Sequence, residues 1–264
     1  MTQITIEPSS PAAPTRDASA LALLDQLDAA IVAVAAEFAA LKRQYPALIE
    51  TQSLRRAEYS RAFPHLLLTA APLADPAAEA DRLLAADNLD APRWCLSPAV
   101  CLHVYAEFVG QSLREPLAVT ARGRCFRHES SYIPGERQIE FEMREIVLLG
   151  SAAWLQATVP QVRDRLERLA RQAGLAGQWS LAEDPFFLPT GRGKGYLQRL
   201  QETKWEYQAA DGLALASVNW HHAFFGSRFG LTDASGVPIH TACLAVGLDR
   251  WLSRHAPQRA EDLQ

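Results

Sequence analysis

The stretch RCFRHESSYIPGERQIEFEMREIVLLG, Arg124 to Gly150, gathers side chains that can do chemistry together: arginines, carboxylates and an aromatic ring. At the two-residue period of a strand, Cys125, Arg127 and Glu129 share one face. Pro134–Gly135 suits the central pair of a turn. On the return, Arg137, Ile139, Phe141, Met143, Glu145 and Val147 share a face, and Gln138, Glu140, Glu142 and Arg144 take the other. Arginine forks pair with phosphate oxygens and a ring stacks on a purine, so coincident faces would make a poor core and a good phosphate-and-base site. A solvated hairpin with surface ion pairs satisfies the same pattern. Glu145 is the anomaly, a charge set among apolar residues, where burial without a partner is costly.

The cysteines, Cys95, Cys101, Cys125 and Cys243, are too few and scattered for a disulfide scaffold, which points to reduced thiols and a cytoplasmic chain. No CxxC spacing is present, and a free Cys is usually a small buried hydrophobe. GRGKGY at Gly191 lacks the phosphate-loop pattern and a preceding strand, so it reads as a loop. His221 and His222 in NWHHAFF read as polar pocket residues or further metal ligands, with pocket or structural roles preferred.

The elements that must position these residues follow from periodicity. Residues 1–17 carry no apolar core and are expected to form a disordered tail without the marks of a signal peptide. A single domain spans 18–264. An amphipathic helix runs from about Ala18 to Lys42, with Pro46 as a stop; Asp25, Asp28 and Glu37 argue against a membrane span. A short helix is expected at AAEADRLLAA, 77–86. From Trp94 to Gly150 the chain reads as strands, with turns at Gly110, Gly123 and Pro134–Gly135. TVPQVRDRLERLARQAGLAG reads as a helix capped near Thr158. KWEYQAA and GLALASVNW form a hairpin across Asp211–Gly212, and IHTACLAVGLDRWLSRHA a strand running into a helix. Helices interleaved with hairpins, without a βαβ rhythm, predict an α+β fold with a mainly antiparallel sheet. The net charge of −4 gives no general reason to bind nucleic acid.

CFRHE, a loop and RQIEFEMREIVLLG resemble motif 2 of class II aminoacyl-tRNA synthetases, the seryl enzymes in particular, and TACLAVGLDRWL resembles motif 3, with Gly247 and Arg250 on its glycine and arginine. The similarity runs from about Trp94 to Arg254. It implies the class II synthetase sheet flanked by helices, with ATP as co-substrate. It implies that Arg127 holds the α-phosphate of ATP and the substrate carboxylate, Glu129 contacts the adenine side, and Arg137 reaches the γ-phosphate. Phe141 and Arg250 would sandwich the adenine ring. Arg127, Glu129 and Arg250 are thus the expected catalytic residues, with Mg²⁺ as an expected cofactor. The metal-binding glutamate that such synthetases carry on the strand before motif 3 has no counterpart in LALASVNW.

Seryl-type enzymes grip the amino acid with a Thr-x-Glu loop upstream of motif 2. The matching text is LSPAVCLHVY, with Ala99 on the threonine and Cys101 on the glutamate. A thiolate binds zinc. With Cys243 at the start of motif 3, the resemblance implies a Cys101–Glu145–Cys243 zinc site whose open fourth position takes a substrate amino group. Cys125 fits core packing, and Cys95 has no functional reading. Asn219 matches an asparagine near the substrate. Lys204 and Glu206 in KWEYQ are expected to form an ion pair.

A zinc-bearing seryl-like core of this size resembles the truncated seryl-tRNA synthetase homologues called amino acid:[carrier protein] ligases. Those activate a small amino acid, typically glycine or alanine, and pass it to the phosphopantetheine thiol of an acyl or peptidyl carrier protein. No basic extension for tRNA is present, and no membrane partner is expected. A basic docking surface for an acidic carrier would fall at Arg163, Arg165, Arg168 and Arg171, although Asp164 and Glu167 partly balance that face. The alternatives are a tRNA-charging core with a separate tRNA-binding partner, or a non-catalytic paralogue that binds an amino acid or ATP. The resemblance also implies a homodimer through the motif 1 region, for which SLRRAEYSRAFPHLL is suitably placed.

Overall fold

A computed structural model describes residues 15–184 and 202–255. In chain order its elements are α1 (Ala18–Ala36), β1 (Leu41–Gln44), β2 (Leu48–Glu50), α2 (Thr51–Arg56), α3 (Tyr59–Ala62), β3 (Thr69–Ala70), β4 (Trp94–Leu96) and α4 (Cys101–Glu107). Then come β5 (Ser112–Leu113), β6 (Leu117–Phe126), β7 (Glu140–Gly150), α5 (Ala152–Gln172), β8 (Gln178–Leu181), β9 (Lys204–Gln208) and β10 (Ala214–His222). The last are α6 (Phe224–Phe229), β11 (Thr232–Asp233), β12 (His240–Gly247) and α7 (Leu248–His255).

The main sheet has the order β1-β6-β7-β12-β10-β9-β8. Every pairing in it is antiparallel except β1 with β6. The expected α+β architecture is therefore present. β7 lies in the interior of the sheet, and its alternation sorts side chains into two layers. Ile146 and Leu148 pack with Leu244, Val246, helix α1 and helix α5 on one side, where Trp251 of α7 is fully buried. Val147, Leu149 and Cys243 face the other side, against α4 and Phe229 of α6. Among the described residues α1 alone is long and apolar enough to cross a membrane. Its Leu24, Leu27 and Ile31 are buried against the sheet, and its Asp28 is paired with Arg144 of β7.

Several expected boundaries are corrected. The first helix ends at Ala36, not Lys42: Ala39 turns left-handed at φ 52°, and Leu41–Gln44 pair with the open edge of β6. Tertiary pairing there overrides helix propensity. No α-helix forms at 77–86. Asn88 instead accepts from Asp75 N and donates to the carbonyls of Asp75 and Leu83, an alternative to helical bonding that short amide side chains supply. Within 94–150, Cys101–Glu107 is helical. Gly123 is no turn; it pairs with Met143 inside β6, and a Cβ there would stand 3.0 Å from a Val100 methyl. Helix α5 begins at Ala152 because Ser151, directly after β7, accepts from Trp154 N and caps it. Thr158 and Pro160 fall inside it. Of the expected tail, Arg16 is anchored between Glu142 and Asp249 at 2.5 Å each, and Asp17 caps α1 through Ala20 N.

Candidate active site

A cleft of about 310 Å³ opens on the odd-numbered face of β7. Ala99, Cys101, Arg127, Glu129, Arg137, Phe141, Glu145, Asn219, Cys243 and Arg250 all line it. Residues separated by up to 151 positions in the chain converge because β6, β7, β12 and β10 are adjacent strands and α4 crosses their open face.

At one end lie the arginines and the ring. Arg127 donates from Nε and Nη2 to the Pro98 carbonyl, at 3.2 and 3.1 Å. Its guanidinium carbon stands 5.1 Å from the Phe141 ring centroid. Arg250, in the first turn of α7, donates to the carbonyls of Glu136 and Ala214. The cover over Phe141 is therefore Arg127, while Arg250 ties the motif 2 loop to β10.

β10 lends Ala214, Leu215, Ala216, Ser217, Asn219 and His221 to the cleft, none a carboxylate. The strand before motif 3 thus does not fit a magnesium site. The nearby acids come from elsewhere: Glu206 of β9, opposite Ser217, and Asp184. Lys204 Nζ binds both, at 2.7 Å to Asp184 and 3.2 Å to Glu206, so the expected Lys204–Glu206 pair has a third member. Burial works against the ammonium charge, but the two carboxylates outweigh it and hold its pKa above the usual value.

At the other end the ligand atoms of Cys101, Glu145 and Cys243 lie within 4.8 Å of one another, all buried. β7 contributes Glu145, which pairs across the ladder with Ala245; Cys243 stands two residues away on the same face of β12, and α4 begins at Cys101. Glu145 Oε1 accepts from Val100 N at 2.9 Å. Its Oε2 is buried without a hydrogen-bond partner, with the Cys101 thiol close by. Burial pushes the Glu145 carboxyl up. Contact with Cys243, then burial, pushes the Cys101 thiol well up. The same contact pulls Cys243 down, but burial and Glu145 outweigh it. Three would-be anions crowded into one dry pocket repel each other, and an orphaned carboxylate oxygen points among them. The set fits a thiophilic divalent cation such as zinc.

All four cysteines are free thiols. Cys125 is packed with Val100 and Ala121 and Cys95 with Ile49 and Leu54, both outside the cluster. Asn219 Nδ2 reaches Ser217 Oγ at 3.2 Å and Cys243 Sγ at 3.7 Å. His221 lines the cleft, whereas His222 is exposed. Tyr59, Asp184 and Phe225 also line the cleft; no strand or motif pattern marks them, because they enter from α3, a loop and α6. On α5, Arg163 pairs with Asp164, Arg165 with Glu37 and Arg171 with Glu167, so most of the expected docking face is internally balanced. GRGKGY lies outside the described residues.

The fold matches solved synthetases. A seryl-tRNA synthetase from M. kandleri, in complex with A. aeolicus tRNASec, superposes with a TM-score of 0.67 at 20% identity, over 86% of this chain and 51% of that one. A cytoplasmic serine-tRNA ligase from Naegleria fowleri, in complex with AMP, gives 0.66 at 12% identity over 87% of this chain and 48% of that one. No family model matches the chain. Two curated relatives from Bradyrhizobium diazoefficiens (strain JCM 10833 / BCRC 13528 / IAM 13628 / NBRC 14792 / USDA 110) align over 222 residues, 78% of this chain. Amino acid--[acyl-carrier-protein] ligase 2 is 31% identical and ligase 1 is 30% identical. The chain spans 66% and 68% of their respective lengths, about two thirds. With motif 2, motif 3 and the Cys–Glu–Cys cluster on one cleft of a class II synthetase fold, the chain belongs to the amino acid--[acyl-carrier-protein] ligase family.

Proposed function

We propose that this protein uses ATP to activate a small amino acid, glycine or alanine, and transfers it to the phosphopantetheine thiol of a carrier protein. The observation that carries the reading is the division of one cleft: an arginine–aromatic end suited to a nucleotide and a buried Cys101–Glu145–Cys243 end suited to an amino group.

In the first step a carboxylate oxygen of the amino acid attacks the α-phosphorus of ATP, and pyrophosphate leaves. Both arginines line the cleft; on this reading Arg127 bridges the two reacting anions and Arg137 meets the leaving pyrophosphate. The gain comes from positioning and charge stabilisation more than from proton transfer. Phe141 fixes the base by stacking, and Arg250 holds the loop that carries Arg137 through the Glu136 carbonyl. A zinc ion held by Cys101, Glu145 and Cys243 would supply a Lewis acid for the substrate amino group. In the second step the carrier thiolate attacks the carbonyl carbon of the adenylate and AMP leaves, giving a thioester.

We further read the protein as a cytoplasmic homodimer, with zinc resident and Mg²⁺ arriving with the nucleotide. The free thiols support the location, and the names of the two relatives support a carrier protein as acceptor. ATP–pyrophosphate exchange across a panel of amino acids, followed by transfer assays, tests the activity. Exchange with glycine or alanine and labelling of a holo-carrier protein is the expected result. Labelling of tRNA instead would establish the tRNA-charging reading, and no exchange with any amino acid would establish a non-catalytic paralogue.

A further inference from the structure

The amino-acid end of the cleft has a wall that regular strand pairing does not produce. Trp220 of β10 lies opposite Ala242, yet His222 lies opposite Thr241, so His221 is an extra residue in the ladder. His222 takes a left-handed φ of 49° to accommodate it. Bulges of this kind re-aim side chains and are frequent beside active sites. Here the bulge sets His221 against both neighbours on β12: its Nδ1 is 3.4 Å from Thr241 Oγ1, and its Nε2 is 4.0 Å from Cys243 Sγ.

The imidazole is held from behind. The Tyr105 hydroxyl meets Nδ1 at 3.2 Å. Tyr105 is fully buried and stacks on Phe225 with centroids 4.4 Å apart. Phe225 in turn meets His221 edge-on at 4.7 Å, and Tyr105 meets it at 6.0 Å. The three rings close a triangle. Phe225 cannot retreat without α6, and α6 is drawn against the sheet at Gly226, where a Cβ would stand 2.0 Å from the Ile239 carbonyl oxygen. Among the described residues His221 is not one of the ligand atoms gathered within 4.8 Å of each other. It therefore stands beside Cys243, outside that cluster.

We propose that His221, backed by Tyr105 and Phe225, sets the upper size of the amino acid, admitting a hydrogen or a methyl on the α-carbon and turning away longer side chains. The inference rests on the activity proposed above and adds the residue that fixes its substrate class. With the amino group at Cys101, Glu145 and Cys243, the rings bound the space beside it: His221 Nε2 is 4.0 Å from Cys243 Sγ, and His221 and Phe225 line the same cleft. A close-packed wall rejects extra atoms because it has no room to relax.

Pyrophosphate exchange measured with glycine, alanine, serine and 2-aminobutyrate tests this, on the wild type, His221→Ala and Phe225→Leu, with metal content determined for each. Discrimination by one methylene is roughly 10- to 200-fold. His221→Ala is therefore expected to raise kcat/KM for 2-aminobutyrate relative to glycine by about tenfold or more, with metal content unchanged; Phe225→Leu should move the ratio in the same direction. A wild type active on glycine whose preference is the same in both variants overturns the wall and leaves the activity standing. Loss of metal in His221→Ala, as in Cys243→Ala, also overturns it by making the imidazole a ligand. A wild type inert towards every amino acid overturns the activity and this inference together. Should His221→Ala fail to fold, Phe225→Leu decides alone by the same ratio.

Discussion

Asp28 of α1 and Arg144 of β7 meet fork to fork, with Nε and Nη2 of the arginine each 2.7 Å from a separate carboxylate oxygen. The arginine side chain is only 3% exposed, so the pair anchors the N-terminal helix under the strand that carries the site. Removing one partner leaves a buried charge alone, which costs about 3–5 kcal/mol. Asp28→Ala should therefore lower unfolding free energy by that amount in urea titrations. Adding Arg144→Met should restore most of it, since an apolar replacement of both partners is often neutral. A double variant no better than the single one would show that the charge pair is not the source of the cost.

Glu142, on the same face, carries a pH signature. Burial pushes its carboxyl up, but hydrogen bonds and charges from Arg122 and Arg16 outweigh it and leave its pKa below the usual value. A carboxylate depressed in the folded state stabilises the fold above its unfolded pKa of about 4.3 and ceases to do so as pH falls through the folded value. Wild-type stability should fall from about pH 5 to pH 3 more steeply than that of Glu142→Gln. Arg16→Ala should cost about 1.5–3 kcal/mol at neutral pH, the range for hydrogen bonds to charged groups. Equal acid slopes in wild type and Glu142→Gln would refute the assignment.

At the nucleotide end, Arg127→Ala should reduce pyrophosphate exchange by about 10²–10³-fold, the effect of deleting one positioned donor to a developing anion. Arg127→Lys should not rescue it, because a point charge cannot reproduce a planar fork. Phe141→Ala should raise KM for ATP, with a loss of about 1–3 kcal/mol expected for one stacked base. Unchanged KM would remove the ring from the adenine subsite.

At the other end, metal analysis of purified protein should find about one zinc per chain, held by two thiolates and a carboxylate. Cys101→Ala, Cys243→Ala and Glu145→Ala should each abolish it, and Cys95→Ser should retain it. Zinc retained at full stoichiometry in all three would eliminate the site.

Gly226→Ala should be disproportionately harmful. Its added methyl meets a backbone carbonyl, which cannot rotate away, and overpacking costs typically about 1–3 kcal/mol. Thermal unfolding should show the loss, and the fluorescence or substrate profile should change with it as Phe225 shifts. A melting temperature equal to wild type would mean α6 sits more loosely than the structure shows.

The site was more legible than the scaffold. Period-two reading set Arg137, Phe141 and Glu145 on one face, and the cleft shows them so. Patterning alone favours a solvated hairpin, and only the motif resemblance joins Cys101 and Cys243 to Glu145. The stretch around Cys101 reads as strand-like because helix α4 is a single short segment, CLHVYAE, buried on most sides and without a polar face to show the period. β1 hides at the end of an apparent helix because its partner is 78 residues away and invisible to local periodicity. His221 reads as a pocket residue from sequence, but the bulge that aims it does not: a bulge is a mismatch between two strands, and no single strand's sequence displays it.

Strand β7 has one more consequence. Phe141 and Glu145 belong to the same face of the same interior strand, four residues apart, a rise of about 13 Å. The distance between these two side chains is thus ruled off on a single stiff backbone held by neighbours on both sides. If the cleft binds an adenylate as proposed, it is a fixed calliper for one length of it, and β10 and α6 can be altered without disturbing that gauge.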